Sequence, residues 1–123
     1  MKTKEEILLD TIRENFSATT LSLAEEALAF AHERLDGRTR YDGSPLVEHS
    51  VAVAQIVISE VGLGRNSTVA ALLHDAVRIC HKEQSPEEFL ALTGFIRTRF
   101  GEQAAGIAVG LCNISEINLK ISK

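Results

Sequence analysis

Val69, Leu72, Leu73, Ala76, Val77 and Cys80 recur at i, i+3, i+4, i+7, i+8 and i+11, the spacing that lays apolar side chains along one face of an α-helix. The same period returns in segments before and after this one, most of them bounded by independent start or stop signals. Thr3 and Glu6 stand at capping-box spacing ahead of a first helix over about residues 4–15. A second helix is expected from Leu21 or Ser22, with Ser22 and Glu25 as its box and Leu23, Ala24, Ala27, Leu28, Ala31 and Leu35 buried. It closes at Asp36-Gly37, where glycine can take the left-handed conformation. A third, over about 46–61, begins after Pro45 and carries apolar residues on several sides, so it is expected to be central. Gly62 and Gly64 end it, and Asn66, Ser67 or Thr68 is the expected cap of the helix with the apolar stripe. Ser85-Pro86-Glu87-Glu88 is the strongest start signal in the chain, with an N-cap serine, an N1 proline and an N3 glutamate. The fifth helix it opens is separated by Gly101-Glu102 from a sixth containing Ala104, Ala105, Ala108, Leu111 and Cys112. Only the tail, where Ile117, Leu119 and Ile121 alternate with polar residues, has a strand-like pattern. The expected fold is an all-α bundle of about six helices.

With 123 residues, 45% of them apolar and 24% charged, the chain fits one globular domain with one core. Thirteen basic against seventeen acidic residues leave a net charge of −4, so no general field draws in nucleic acid or an anionic membrane. The charged start Met1-Lys2-Thr3-Lys4-Glu5-Glu6 is not a signal peptide. No apolar run approaches the roughly 18 residues of a membrane span, and a cytoplasmic protein is expected. Cys80 and Cys112, with no Cys-x-x-Cys, read as two buried thiols in a reducing compartment.

His74 and Asp75 fall outside the apolar stripe. Being successive on a helix, they point about 100° apart, yet a cation lying against the helix between them could take an imidazole nitrogen and a carboxylate oxygen. One helix cannot surround a cation, so a metal site needs ligands from a second element. His49 supplies a candidate: on a helical wheel it lies near Val53 and Ile56, opposite Val47, facing a packing partner. The alternative for His49 is a hydrogen-bonded core histidine. The loop over 36–46 sets Arg38, Arg40 and Asp42 among Gly37, Gly43 and Pro45. Guanidinium forks beside glycines suit phosphate recognition, the alternative being an ordinary solvated loop.

Three ordered blocks resemble a known family: Arg40, Gly43, Pro45 and His49; then Ala70-Ala71-Leu72-Leu73-His74-Asp75-Ala76-Val77; then Phe100-Gly101-Glu102 with Gly110 and Ile114. Over about residues 20–116 they are similar to the N-terminal HD hydrolase domain of the long RelA/SpoT homologues, which make and degrade guanosine tetra- and pentaphosphate. The resemblance implies an all-helical, Mn²⁺-binding domain that removes the 3′-pyrophosphate of the alarmone. It implies that His49, His74 and Asp75 correspond to metal ligands, and that Arg40, with Asp42 beside it, corresponds to the loop contacting the nucleotide. Such a metal polarises a phosphoryl oxygen and lowers the pKa of a bound water.

The departures from that pattern bear on activity. Hydrolytically active members read His-Asp-x-x-Glu-Asp, whereas Arg78 and Ile79 occupy the two acidic positions here. Asp42 stands where the family usually has serine and Ser50 where it has proline. A fourth ligand, an aspartate from a later helix, has no counterpart before Lys123. The expectation is an N-terminal part of a RelA/SpoT-like protein, residues 1–123 forming a partial HD domain without its synthetase and regulatory domains, weak or inactive as a hydrolase. The competing expectations are a pseudo-enzyme that senses a ligand, and a stand-alone HD phosphohydrolase for another nucleotide.

Overall fold

The computed structural model describes the backbone of residues 1–61 and 64–121 and the side chains of residues 1–59 and 64–111. Six α-helices follow one another: α1 (Lys4–Asn15), α2 (Ala18–Arg34), α3 (Leu46–Ile56), α4 (Arg65–Glu83), α5 (Pro86–Phe100) and α6 (Glu102–Ile121). The all-α expectation holds. The first helix starts as its residues dictate, with the Glu6 amide donating to Thr3 Oγ1 at 3.1 Å and the Thr3 amide donating to Glu6 Oε1 at 3.2 Å. Ser85 caps α5 in the same way, accepting from the Glu88 amide at 3.2 Å. Gly101, at φ +102°, makes the break between α5 and α6 that a side chain would resist.

Other boundaries differ from expectation. The second helix starts at Ala18, capped by Ser17, whose hydroxyl accepts from the Thr20 amide at 3.2 Å; Ser22 lies inside it. Thr19 and Thr20 are weak helix formers, but Thr20 is buried in the core and packing overrides propensity. The third helix stops at Ile56 and continues as a π-helical turn over Val57–Val61. The fourth begins at Arg65 after Gly64, without a side-chain cap. Thr68 turns its hydroxyl back to the Gly64 carbonyl at 3.2 Å, and Asn66 donates to Gln103 of α6 at 2.5 Å, so neither serves as cap. The tail over 117–121 is helical backbone within α6, not strand. The side chains of that tail, and that of Cys112, lie outside the described residues.

The central element is α4, not α3. It packs against α2, α3, α5 and α6, and from Thr68 to Val77 every residue is buried. Small side chains make this possible. Ala70 and Ala71 of α4, with Ala104, Ala105 and Ala108 of α6, are all buried, which suits the close approach of two helix axes. On the other sides Ala24, Ala27 and Ala31 of α2 and Val51 and Ala54 of α3 join the same core. Two ion pairs tie the periphery: Arg99 of α5 to Glu26 of α2, and Arg38 of the loop to Glu83 of α4 at 2.5 Å. Exposed pairs like these contribute little to stability. Among the described residues no helix is long and apolar enough to cross a membrane.

The energetic weight sits on α4. Leu72→Ala removes a fully buried side chain and should cost about 2–5 kcal/mol in urea denaturation. Ile56→Ala, at a half-exposed position, should stay within about 0.5 kcal/mol of wild type. Equal losses from the two substitutions would contradict this assignment of the core.

Candidate metal centre

The burial of α4 on all sides draws in the two residues that its apolar stripe leaves out. His74 is 6% and Asp75 1% exposed, so both are core residues, not an edge of the helix. Two charged or polar groups in such a place need partners, and the structure supplies them from α3 and from α4 itself.

His74 Nδ1 lies 2.6 Å from the carbonyl of Ala71, one turn back. A carbonyl only accepts, so Nδ1 carries the proton and the ring is held with Nε2 facing away from its own helix backbone. Anchoring one ring nitrogen to a carbonyl is the usual way of presenting the other to a cation. His74 Nε2 stands 3.5 Å from Asp75 Oδ1. A proton or a cation between or beside these two atoms stabilises that approach.

Across the helix interface, His49 of α3 places Nδ1 2.9 Å from Asp75 Oδ2. Its ring centroid is 5.8 Å from that of His74. His49 keeps 30% of its side chain exposed, whereas Asp75 keeps 2%, so the site opens to the surface on the His49 side. One ligand atom from each of His49, His74 and Asp75 can be chosen so that all lie within 4.8 Å of one another. Two imidazoles and a carboxylate from two helices are a donor set that fits a divalent transition metal. The three residues singled out from sequence do come together.

Two further residues complete the surroundings of Asp75. Ser50 Oγ donates to Oδ2 at 2.8 Å. Arg78, one turn along α4, donates to Oδ1 from Nη2 at 3.1 Å and from Nε at 3.4 Å. Burial pushes the Asp75 carboxyl up, but the positive potential at His74 and the hydrogen bonds from His49 and Ser50 outweigh it, holding the group below the ordinary carboxylate range. In the sequence Ser50 stands out only as a departure from the family pattern. A lone hydroxyl beside His49 in an otherwise apolar helix was the available signal. Ile79, four residues after Asp75 on α4, is partly buried against the core.

The loop residues are placed apart from this cluster's hydrogen bonds. The Arg40 amide donates to the Ser44 carbonyl at 2.8 Å and the Gly43 amide to the Arg40 carbonyl at 2.9 Å, closing a turn in which Gly43 has φ +87°. Asp42 is exposed and shapes this turn, accepting from the Ser44 amide at 3.0 Å and the Ser44 hydroxyl at 2.6 Å. Those two bonds hold its carboxyl below the usual range. Arg40 is partly stacked over Tyr41, its guanidinium 5.6 Å from the ring centre. Arg38, by contrast, places its fork on Glu83 at 2.7 and 2.5 Å.

Ser50→Ala removes a buried hydrogen bond to a charged acceptor and should cost about 1.5–3 kcal/mol at neutral pH. Because the folded-state pKa of Asp75 is depressed, that contribution is complete above the unfolded carboxylate value of about 3.9 and is lost as pH falls through the folded one. The deficit of Ser50→Ala, read from urea denaturation, should therefore shrink at pH 3 relative to pH 7. A deficit independent of pH would separate Ser50 from the charge on Asp75.

Residues 27–120 match the HD domain family. The bifunctional (p)ppGpp synthase/hydrolase RelA of Mycobacterium tuberculosis is 38% identical over 72 residues, covering 58% of this chain and 10% of that protein. The guanosine-3′,5′-bis(diphosphate) 3′-pyrophosphohydrolases of Aquifex aeolicus and Vibrio cholerae are 31% and 27% identical over 78% and 94% of this chain, and 12% and 15% of their own lengths. The chain thus spans a small part of the relatives it matches. No solved structure matches it. A helical bundle with His74-Asp75 at its centre and a family match over most of its length identifies the chain as a member of the HD domain family, similar to the RelA/SpoT enzymes.

Proposed function

We propose that this chain is the HD portion of a RelA/SpoT-like protein of guanosine tetraphosphate metabolism, in which His49, His74 and Asp75 hold a divalent cation, Mn²⁺ by resemblance. The observation that carries the reading is the convergence of these three donors from α3 and α4 within 4.8 Å. Similarity to enzymes named for acting on the alarmone supports the substrate class. A bound metal of this kind polarises a phosphoryl oxygen and lowers the pKa of a water.

The chain's own residues have defined parts in this reading. His74, anchored through Nδ1, and His49, open to the surface, present imidazoles; Asp75 supplies the negative charge. Arg40 offers its guanidinium to a phosphate of the nucleotide, and Asp42 holds the turn that presents it. Arg78 and Ile79 stand where active relatives carry acidic residues, and neither can accept a proton from water, since a guanidinium stays protonated and isoleucine has no titratable group. Hydrolysis is accordingly weak or absent, and the domain serves to bind the alarmone or to govern a C-terminal synthetase domain in an intact cytoplasmic protein. A second reading, a ligand-sensing pseudo-enzyme, is favoured by the ion pair between Arg78 and Asp75. A stand-alone phosphohydrolase for another nucleotide would need an activating base that the described site lacks.

Mn²⁺ should bind weakly and be lost on dialysis, and His74→Ala should abolish what binding there is; stoichiometric metal surviving in that variant would place the site elsewhere. Hydrolysis of guanosine tetraphosphate, assayed with Mn²⁺ in a protein containing this chain, should be about 10²–10⁴ slower than after Arg78→Glu with Ile79→Asp, the range a positioned general base supplies. Robust hydrolysis by the unsubstituted protein would overturn the assignment of an impaired site.

A further inference from the structure

Every acceptor position described on Asp75 is contested. Oδ2 takes His49 Nδ1 at 2.9 Å and Ser50 Oγ at 2.8 Å. Oδ1, the oxygen 3.5 Å from His74 Nε2, takes the guanidinium of Arg78. The carboxylate oxygen that His74 could share with a metal is therefore the one a resident cation already holds. We propose that Arg78 is an internal competitor for the metal, and that a tetrahedral oxyanion at the mouth of the site draws it off, so that cation and oxyanion bind cooperatively. This rests on the metal reading given above.

The geometry allows the exchange. Arg78 is 18% exposed against 2% for the Asp75 side chain, so its side chain has access to solvent while it holds the buried charge. Its long side chain can turn outward by rotation about its own bonds, with α4 left in place. The fork that grips Oδ1 matches phosphate oxygens at least as well. An oxyanion alone gains little, because taking Arg78 strips a buried carboxylate of its counter-charge. A metal alone gains little, because it meets a guanidinium on the same oxygen. Together each removes the other's obstacle, which is a coupling free energy and hence reciprocal. A bisphosphorylated nucleotide with a bound divalent cation carries both partners in one ligand. The position taken by an acidic residue in hydrolytic relatives thereby becomes a selector for the metal–phosphate combination.

The test is Mn²⁺ binding by this chain, read from the electron paramagnetic resonance signal of free Mn²⁺, in sodium sulfate or in sodium chloride of equal ionic strength. Sulfate is a tetrahedral dianion with weak affinity for free Mn²⁺. Wild type should bind Mn²⁺ about tenfold more tightly in sulfate, within the usual range of such couplings. Arg78→Gln should bind about tenfold more tightly than wild type in chloride and lose the sulfate effect. Arg78→Lys, which keeps the buried carboxylate neutralised in the metal-free state, should retain a reduced sulfate effect and serves if the glutamine variant does not fold. Equal affinity in the two salts for wild type overturns the inference and leaves the metal reading standing. A sulfate effect undiminished in Arg78→Gln overturns it as well. Binding absent in every arm, and indistinguishable from His74→Ala, removes the metal reading and this inference with it.

Discussion

A carboxylate buried on the central helix is the constraint on which the rest of this structure depends. Asp75 is almost wholly withdrawn from solvent, and a buried charge is tolerated only when it is paired and hydrogen-bonded. Four side chains meet that requirement: His49 and Ser50 from α3, Arg78 and His74 from α4. Two of them come from a neighbouring helix, so the relative placement of α3 and α4 is set by electrostatics as well as by apolar packing. Removing one partner would leave the charge uncompensated, which is why such groups resist piecemeal change.

The placement in turn depends on small residues. Alanines on α2, α4 and α6 let α2 and α6 each approach α4 closely around Leu72, Leu73 and Val77. The result is a rigid rod with partners on four sides, and a site built on rigid elements holds its geometry better than one built on loops. His74 is oriented by its own helix through the Ala71 carbonyl. His49 lies at the outer edge of the same interface, half in the core and half at the surface. The cluster is thus preorganised on its inner side and accessible on one.

In this member of the HD domain family a cation, Arg78, stands beside His49, His74 and Asp75. Arg78 neutralises Asp75 from within the chain, and in the proposed reading an external cation has to compete with it.

Local sequence determined the helices and, through the resemblance, the residues worth watching. Capping at Thr3 and Ser85 is read directly because it involves partners three residues apart, and the six helical segments follow from a period that any isolated helix would show. The grouping of His49 with His74-Asp75 was within reach for the same reason, with motif order adding what periodicity could not. What tertiary structure alone decided was which helix lies at the centre and what surrounds Asp75. The wheel put His74 and Asp75 outside the stripe of α4, but a helix packed on four sides has no outside, and burial reversed their environment. The start of α2 at Ala18 is not legible locally, because Thr19-Thr20 disfavour helix while the core rewards Thr20 for being buried. Ser50 and Arg78 acquired their parts from a contact across 25 residues and from a turn of helix facing it. Such partners are selected by three-dimensional proximity, which neither propensity nor spacing encodes.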